Sequence, residues 1–468
     1  MNTRTVALCC AAALALIAAG CGSRLSDDQL AQGGGAGGAQ AVVAAGTTVP
    51  SKGITQGKSG PKVGSLPVPC GPAPKGQAPS IGGQDGVTPT TIKLAVISDK
   101  SGAIKVPTAS VEESMEAFTT FCNGFGGING HKIQLVKIDS KLFSQLEATQ
   151  TACNDKVFAI VGSGSVTDNQ GAQAMVDCGL IEVPAYTATT AKALSDNLVQ
   201  PVPNPSNKFD VGPALFVKQK FPKAIKKAAI LWGDVDVAKV QAQRIVEAYQ
   251  KVGFKFVLKE QTGLLPENYT AQAQEMKSKG VRYVTDVDTV SNTVKLIRDM
   301  KLQNFTPDIM DLGQQFYDPS LPTTSGSEGT IVQLNTVPFE EAGSSPALQA
   351  YLAAYKKVGT SIQPTTLGVQ SFDAGLLFAT AAKAAGSDLT RDRVLAELKK
   401  IKKWDGGGLT FQTDPGDNQV NDCFLYMIVK GGKFVPYEPK KPGTFACDPK
   451  YRIALHGNYG TGAKRKGS

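Results

Sequence analysis

Apolar residues occur along the chain in short continuous runs that alternate with segments of helical periodicity. The first run, Thr91–Ser98, is mostly apolar, and the segment Val111–Asn123 after it carries apolar residues every three or four positions. The same order continues with predicted strands at Lys132–Ile138, Val157–Val161 and Leu180–Val183 and predicted helices at Gln145–Asp155 and Asn169–Cys178. Alternating strands and helices are typical of a parallel sheet covered by helices. The pattern therefore predicts an α/β fold.

A second series with the same alternation follows and predicts a second α/β lobe. After a helix over Pro205–Phe221, it comprises strands at Lys227–Trp232, Phe254–Lys259, Val281–Val287, Ile309–Leu312 and Thr330–Gln333 and helices at Val237–Val252, Tyr269–Lys279 and Val290–Met300. Three further helices lack long strands between them, and we expect them to cover the first lobe: Ala347–Val358, Gln370–Ala385 and Arg391–Ile401. A β-ribbon with Asp-Pro-Gly and Gly-Gly turns follows them.

This order predicts a chain that crosses between two lobes near residues 200, 335 and 405. Lobe 1 then comprises residues 89–202 and 335–404, and lobe 2 comprises residues 203–334 and 405–437, followed by a C-terminal tail at 438–468. The length agrees with this division, because a chain of 468 residues exceeds what one hydrophobic core usually holds.

The N-terminus has the pattern of an export signal over residues 1–20. Arg4 precedes an apolar run, Val6–Ala19, which is shorter than the about 20 residues of a membrane-spanning helix. Small residues then precede Cys21, which resembles the bacterial lipobox, and this resemblance implies that Cys21 carries a lipid. Residues 21–88 are rich in Gly, Ala, Pro and Ser and poor in large apolar side chains, so we expect a flexible tether.

The cysteines and the net charge narrow the class of protein further. Six of the nine cysteines lie beyond Cys21, and an even number in an exported chain indicates disulfides, although six cysteines allow fifteen pairings. The formal net charge is +9, but no basic stripe is interleaved with aromatic residues. We therefore expect a basic surface near an anionic envelope rather than nucleic-acid binding.

The stretch from Lys156 to Thr190 contains the strongest candidate for a ligand site. Each of its two strands ends in a loop of small polar residues, and these loops comprise Gly162, Ser163, Gly164 and Ser165, then Tyr186, Thr187, Ala188 and Thr189. Loops at the carboxyl edge of a parallel sheet form ligand crevices. We expect these loops to hold one end of a small polar molecule.

Catalytic and cofactor motifs are missing from the candidate stretch and from the rest of the chain. The Gly162–Ser165 loop lacks the third glycine of a dinucleotide fingerprint and the frame of a nucleophile elbow. His131 and His456 are the two histidines of the chain; we expect both on the surface, as neither base nor metal ligand. No C-x-x-C motif occurs. We therefore expect no enzyme activity, no cofactor and no metal.

Four segments resemble the periplasmic binding proteins of branched-chain amino-acid ABC transporters. They are GVTPTTIKLAVIS, FCNGFGGINGHKIQLVKID, KVFAIVGSGS and SFDAGLLFATAAKAAG, and the resemblance extends from about Gly86 to Val435. It implies a type I fold, in which two lobes of parallel sheet and helices are joined by three hinge crossovers. The ligand then lies between the lobes, and a membrane permease reads their closure.

The resemblance also implies roles for the residues of the two loops. Gly164 and Ser165, with Val166, correspond to the groups that hold a ligand carboxylate at a helix N-terminus. Ala188 and Thr189 correspond to a carbonyl and a hydroxyl that bind the ligand, with Tyr186 and Thr187 nearby.

In lobe 2, the resemblance assigns an acidic residue to a ligand ammonium and an aromatic residue to the closing lobe. Asp288 and Trp232 are the nearest matches. Two alternatives stay open: Asp286 or Asp288 caps the helix at Val290 instead, and Trp232 packs within its lobe. Contacts are also expected from the loops that follow two other strands, namely Asp99, Lys100 and Ser101, and Gln314, Phe316 and Tyr317.

The expected sheet winding favours one set of disulfides. Two helices on the same face end at the same edge of the sheet, which favours Cys153–Cys178, and the start of the first strand and the end of the first helix favour Cys70–Cys122. Cys423–Cys447 then remains, and the rival pair Cys122–Cys153 would have to span two faces.

These observations lead to one preferred function. We expect a monomeric, lipid-anchored receptor on the extracytoplasmic face of the cell membrane, which binds an amino acid, amide or small acid and delivers it to an ABC permease. The alternative is a surface sensor of the same fold that signals without transport.

Overall fold

The structure of the protein is a computed structural model that describes residues 52–58, 60–73, 75–76, 83–102, 104, 106, 108–387 and 389–466. The predicted export signal at 1–20, the predicted lipidation site Cys21 and the predicted tether up to residue 51 lie outside the described residues. In the described part of the chain, the helices are too short or too polar to cross a membrane.

A small antiparallel sheet forms within the segment that was expected to be a flexible tether. Its strands are β1 (Ile54–Gly57), β2 (Gly60–Val63) and β3 (Leu66–Pro67). Val63 is fully buried, and the Ser65 N–H donates to the Gly407 carbonyl at 3.1 Å. The tether prediction is therefore wrong for these strands, because they pack on the folded body.

Lobe 1 contains a four-stranded parallel sheet in the order β5-β4-β6-β7. Its strands are β4 (Thr91–Ser98), β5 (Lys132–Asp139), β6 (Ala159–Val161) and β7 (Ile181–Val183), and its helices are α1 (Ala109–Gly124), α2 (Gln145–Asn154), α3 (Asn169–Asp177) and α4 (Thr190–Ala193). Strand β4 is apolar because the sheet is covered on both faces, where its alternate side chains enter two separate core clusters.

Lobe 2 contains a larger mixed sheet in the order β10-β9-β11-β12-β13-β14-β15. Its strands are β9 (Ala228–Trp232), β10 (Phe256–Gln261), β11 (Tyr283–Val287), β12 (Ile309–Leu312), β13 (Ile331–Leu334), β14 (Cys423–Lys430) and β15 (Lys433–Glu438). Its helices are α5 (Gly212–Lys220), α6 (Asp236–Lys251), α7 (Thr270–Ser278) and α8 (Val290–Leu302). The strands β9 to β13 are parallel, and β14 and β15 add an antiparallel hairpin that turns at two glycines, Gly431 and Gly432.

The start of lobe 2 differs from the expected helix over Pro205–Phe221. Strand β8 (Lys208–Asp210) forms first, and helix α5 begins at Gly212. The difference arises because β8 pairs with a strand near the C-terminus, which local periodicity does not reveal.

Three helices after β13 return to lobe 1, as expected. They are α9 (Pro346–Val358), α10 (Thr366–Ala385) and α11 (Arg391–Lys400), and short 3-10 segments lie at Ala224–Lys226, Gln314–Phe316, Phe339–Ser344 and Pro449–Tyr451. Helix α10 is buried along most of its length, and its Phe372 ring meets the Phe118 ring of α1 edge-on at 5.8 Å. Two of the crossovers run side by side, since Thr336 and Thr410 form an antiparallel bridge.

The C-terminal tail is ordered into two short strands and then reaches lobe 1. Strand β16 (Ala446–Cys447) pairs with β14, and β17 (Arg452–Ala454) pairs with β8. Farther on, the Ala463 N–H donates to the Ala191 carbonyl of lobe 1 at 3.0 Å. The tail is thus a further connection between the lobes besides the three crossovers.

Among the described cysteines there are three disulfides, and they are the pairs that the sequence analysis favoured. They join Cys70 to Cys122, Cys153 to Cys178, and Cys423 to Cys447. The first bond attaches the N-terminal sheet to α1, the second joins the ends of α2 and α3, and the third attaches β16 to β14.

Candidate functional site

A cavity of about 440 Å³ lies between the lobes, at the carboxyl ends of strands from both sheets. Its lobe 1 wall is largely apolar and includes Ile104, Val106, Leu142, Phe143, Val166 and Leu367. Its lobe 2 wall includes Asp286 near the end of β11, Asp288 just after that strand, and Asp311 near the end of β12. The crossovers contribute Gln200, Asn204 and Asn335, while Gln333 comes from β13 and Asn421 from the segment before β14. A concave site of this size suits a small molecule.

The cavity wall includes part of the predicted ligand set. Tyr186, Thr187, Ala188 and Asp288 line it. The other predicted residues lie behind the wall or beside it; these are Ser163, Gly164, Ser165, Thr189 and Trp232.

The first loop is engaged by the chain's own Asp99. Ser163 Oγ accepts the Ile97 N–H at 2.9 Å, while Ser165 Oγ donates to Asp99 Oδ1 at 3.0 Å and the Val166 N–H donates to Asp99 Oδ2 at 2.7 Å. Asp99 is only 4% exposed, and burial raises its pKa while these hydrogen bonds oppose the rise. The position that the resemblance assigns to a ligand carboxylate is therefore filled by an internal carboxyl group.

The second loop is engaged in the same way by Asp168. Its carboxylate accepts the Ala188 N–H at 2.7 Å, the Thr189 N–H at 3.1 Å and the Thr189 hydroxyl. Burial raises the pKa of Asp168 to about 7. Thr187, which does line the cavity, donates its hydroxyl to Gln200 Oε1 at 2.9 Å. The donors of Ala188 and Thr189 thus point at a buried aspartate rather than into the cleft.

The lobe 2 carboxyl groups differ in how they are held. Asp288 Oδ1 accepts the Asn292 side-chain N–H at 2.9 Å, and Asp288 Oδ2 accepts the Tyr269 hydroxyl at 3.1 Å. Asp286 Oδ2 accepts the Thr293 hydroxyl at 2.7 Å, whereas no donor among the described residues reaches its Oδ1. Burial raises the pKa of Asp286, and the charge of Asp288 raises it further.

The strand end explains why both aspartates reach the cavity. Strand β11 ends at Val287, so the alternation of faces stops before Asp288. Neither aspartate is the helix cap, because Thr289 caps α8 through its hydroxyl, which accepts the Asn292 N–H at 3.3 Å.

The sequence reasoning missed two further aspartates on the wall. Asp311 accepts the hydroxyls of Tyr283 and Tyr426 at 2.9 Å each, and burial raises its pKa to about 7. Asp210 accepts the Gly212 N–H at 2.8 Å, and burial raises its pKa to about 8. Asp311 occupies the end of a parallel strand, so the rule that identified Asp286 and Asp288 would also have found it. Asp210 lies in β8, which the sequence did not reveal.

Arg244 is a charged wall residue that the sequence reasoning also missed. It is 4% exposed, and its two terminal nitrogens donate to Asn204 Oδ1, at 3.2 Å each, and to the carbonyls of Pro205 and Lys208. Its guanidinium lies over the Phe209 ring, and burial lowers its pKa to about 10. Its position on a helix face carries no sequence signal that distinguishes it from a surface arginine.

Several other candidates have local roles. Trp232 is half-buried beside β10, where its indole N–H meets Gln261 Oε1 at 3.4 Å. Lys100 pairs with Glu112, and the Ser101 hydroxyl donates to Asp139. In the other loop Gln314 lines the cavity, but Phe316 enters the lobe 2 core and the Tyr317 hydroxyl donates to Glu340; Phe316 and Tyr317 are therefore not wall residues.

The histidines are placed differently from one another. His456 is exposed, as expected, whereas His131 is buried at 1% exposure with Nδ1 3.2 Å from the Ile128 carbonyl oxygen. The expectation of a surface position for His131 is therefore wrong, because the turn that contains it folds under lobe 1. In the described ranges, no group of three or more His, Cys, Asp or Glu side chains is arranged to hold a metal ion.

Comparisons with known proteins agree with this architecture. A family model described as periplasmic binding protein matches residues 91–433. No curated protein sequence matches the chain significantly.

Solved structures show the same fold at low identity. A fatty acid ABC transporter substrate-binding protein from Thermomonospora curvata is 18% identical and covers 80% of this chain and 100% of that chain, with a TM-score of 0.65. A leucine-binding protein from Thermotoga maritima is 17% identical. The alignment covers 77% of this chain and 99% of that chain, with a TM-score of 0.62. A solute-binding protein of an ABC transporter from R. palustris, in complex with 4-hydroxybenzoate, is 19% identical. The alignment covers 74% of this chain and 96% of that chain, with a TM-score of 0.62.

Proposed function

Because the chain belongs to the periplasmic binding protein family, we propose that it is an extracytoplasmic solute receptor that delivers a small molecule to an ABC importer. The observation that carries the proposal is the cavity of about 440 Å³ whose walls come from both lobes and from the crossovers between them. A molecule in this position contacts both lobes at once. It therefore stabilises the closed arrangement more than the open one, and a permease can read that difference.

The arrangement of the cleft supports binding without a chemical step. The buried carboxyl groups of Asp99, Asp168 and Asp311 are held by hydroxyl or amide donors of the protein. Groups fixed in this way shape a cavity but are not free to attack a substrate. We therefore propose that ligand release follows reopening of the lobes rather than turnover.

We also propose that the receptor is anchored by a lipid on Cys21. The lipobox-like sequence before Cys21 and the disulfides of the exported body support this location. Replacing Cys21 by Ser removes the lipid acceptor, so the chain should move from the membrane fraction to the soluble exported fraction, as measured by fractionation and immunoblotting. A variant that stays with the membrane would contradict the lipid anchor but would leave the receptor function untouched.

The receptor function is tested by ligand-induced stabilisation of the full chain that carries Cys21→Ser. We expect one class among amino acids, amides, aromatic acids, fatty acids and amines to raise the melting temperature saturably, with one site by calorimetry. The variant Ala188→Trp places an indole in the cavity and should abolish that shift, whereas Lys218→Trp on an exposed face of α5 should keep it. No shift with any class, together with unchanged solute uptake in cells that lack the chain, would refute the proposal.

A further inference from the structure

In the part of lobe 1 that the structure describes, the donors of the two predicted ligand loops are not open to a ligand carboxylate. The loops after β6 and β7 direct their N–H and hydroxyl donors at buried aspartates. Ser165 and Val166 donate to Asp99, and Ala188 and Thr189 donate to Asp168. An additional carboxylate there would meet a buried carboxyl group and would find no free donor among these groups.

What lobe 1 does present to the cavity is an apolar surface. Ile104, Val106, Leu142, Phe143 and Leu367 line it, together with the Val166 side chain. Such a wall favours the hydrocarbon part of a ligand, because contact removes apolar area from water.

The lobe 2 side presents several acceptors and one cation to the cavity. Asp210, Asp286, Asp288 and Asp311 line the cavity, and Arg244 is the one Lys or Arg among the described residues of its wall. The Asp286 carboxyl is 3% exposed, and its Oδ1 has no donor among the described residues. A buried acceptor without a donor is costly, so a ligand that brings a charged N–H donor gains from meeting it.

We propose that the ligand is an amine with an apolar body and no carboxylate, whose ammonium lies against Asp286 and whose hydrocarbon part lies against the lobe 1 wall. This inference rests on the proposed function, because it names the ligand class of the same cleft. The proposed ligand class differs from the ligand of the solved structure in complex with 4-hydroxybenzoate, because that ligand is a carboxylate.

Arg244 is the rival anchor, and its geometry makes it a weak one for an acid. Its terminal nitrogens are occupied by Asn204 and by the carbonyls of Pro205 and Lys208, which hold the crossover segment in place. Only the Nε–H is left without a partner among the described residues. A single N–H does not form the paired contact through which arginine binds carboxylates strongly.

The test compares ligands that share one apolar body. The first series is 3-methylbutylamine, leucine and 4-methylpentanoate, and the second is phenethylamine, phenylalanine and 3-phenylpropanoate. Binding to the full chain with Cys21→Ser is measured by calorimetry and thermal shift. We expect each amine to bind at least about tenfold more tightly than the amino acid and the acid of its series, which is the scale of one buried charge-assisted hydrogen bond.

Two substitutions assign the contact. Asp286→Asn should weaken amine binding by about tenfold or more, while the control Asp308→Asn, at a half-exposed carboxylate paired with Arg282, should not change it. An amino acid or acid that binds as tightly as the amine overturns the ligand class. If Arg244→Gln also abolishes that binding, the anchor is Arg244 instead.

The outcomes also separate the ligand class from the receptor function. If amines fail but another class in the broad screen binds, the inference is wrong and the receptor stands. If no class binds and uptake is unaffected, the proposed function itself fails.

Discussion

At the scale of single residues, Asp99 is a buried carboxyl group that organises the lobe 1 edge of the cleft. It accepts the hydroxyls of Ser140 and Ser165 and the N–H of Val166, at 2.6, 3.0 and 2.7 Å. These donors come from the loops after β5 and β6, and Asp99 itself follows β4. A single carboxyl group therefore sets the spacing of the loops that face the ligand.

Replacing Asp99 by Ala should destabilise the protein and also open an anion site. Three buried or partly buried donors lose their acceptor, so we expect the free energy of unfolding to fall by about 2–4 kcal/mol in urea unfolding. Where the variant still folds, 4-methylpentanoate should bind more tightly than to the parent chain, because the donors are freed. The exposed Asp177→Ala serves as the control. Unchanged stability and unchanged acid binding would show that Asp99 does not occupy the loop.

Asp373 gives the protein a pH-dependent stability. Its Oδ1 accepts the Trp404 indole N–H at 2.9 Å inside lobe 1, and burial raises its pKa from 3.8 to about 8. A carboxyl whose pKa is raised by folding holds its proton in the folded state, so its contribution is complete below about pH 4 and is lost as pH rises through about 8.

We therefore expect the free energy of unfolding to decline from pH 5 to pH 8, and Asp373→Asn to make that decline shallower. Urea unfolding followed by circular dichroism at several pH values measures both. The exposed Asp155→Asn should keep the parent slope. If Asp373→Asn leaves the pH dependence of the unfolding free energy unchanged, Asp373 is not its source. Other buried carboxyl groups, such as Asp168, Asp210 and Asp311, would then cause it.

Residue-level reasoning from the sequence located strand ends but not the partners of their side chains. Strand ends can be recognised from apolar runs, and Tyr186, Thr187, Ala188 and Asp288 of the predicted set line the cavity, so their ligand contacts stay a prediction. The engagement of Ser165 could not be foreseen, since its acceptor Asp99 lies 66 positions away on another strand. Such a contact depends on three-dimensional packing, and no local pattern encodes it.

At the scale of elements, helix α10 is the central support of lobe 1, and two glycines allow its close approach to α1. A Cβ on Gly375 would lie 2.4 Å from Phe118 Cγ, and a Cβ on Gly368 would lie 2.6 Å from Ser114 Oγ. The absence of side chains at these positions allows the two helices to pack tightly.

Gly375→Ala should therefore destabilise the protein by about 1–3 kcal/mol, although alanine is the better helix former, because the Phe118 ring must shift in a dense core. Thermal and urea unfolding measure the loss. Gly343→Ala is the matched control, since no atom lies within 4 Å of the added Cβ. Equal stability of both variants would contradict the packing described for α1 and α10.

The N-terminal sheet shows how composition misled the sequence reading. Its strands contain glycine, proline and lysine, and Val63 is one of their few large apolar residues. The sheet is held instead by the burial of Val63, by contact with the loop at Gly407 and by Cys70–Cys122.

Val63→Ala should cost about 1–3 kcal/mol of unfolding free energy if this sheet belongs to the cooperative body, because it leaves a cavity in the core. Thr55→Ala, at an exposed position of β1, is the control. Identical unfolding curves for Val63→Ala and the parent would show that the N-terminal sheet does not contribute to the stability of the folded body.

At the scale of the whole molecule, the sequence revealed the two-lobe type I architecture, and the structure and the solved relatives confirm it. The crossovers near 200 and 335 could be predicted because the strand–helix alternation breaks there. The bridge made by the C-terminal tail could not, since its contacts are single hydrogen bonds and ion pairs between segments far apart in the chain.

The tail restrains the lobes through Asp196, which accepts Lys464 Nζ at 2.8 Å and the Arg465 N–H at 2.9 Å. Because these contacts are partly exposed, we expect their loss to cost no more than about 1 kcal/mol but to loosen the hinge. Asp196→Ala should give a larger radius of gyration without ligand in small-angle X-ray scattering. The exposed Asp155→Ala is the control, and an unchanged scattering profile for Asp196→Ala would refute a restraining role.

The pairing of β17 with β8 also bears on how the protein is made. The chain is synthesised from its N-terminus, so β8 emerges well before its partner, Arg452–Ala454. Until then the edge of β8 and the neighbouring Phe209 side chain lack their cover. The edge of β8 is therefore covered only after helices α9 to α11 of lobe 1 have emerged, so lobe 2 cannot complete its folding before that part of lobe 1 is available.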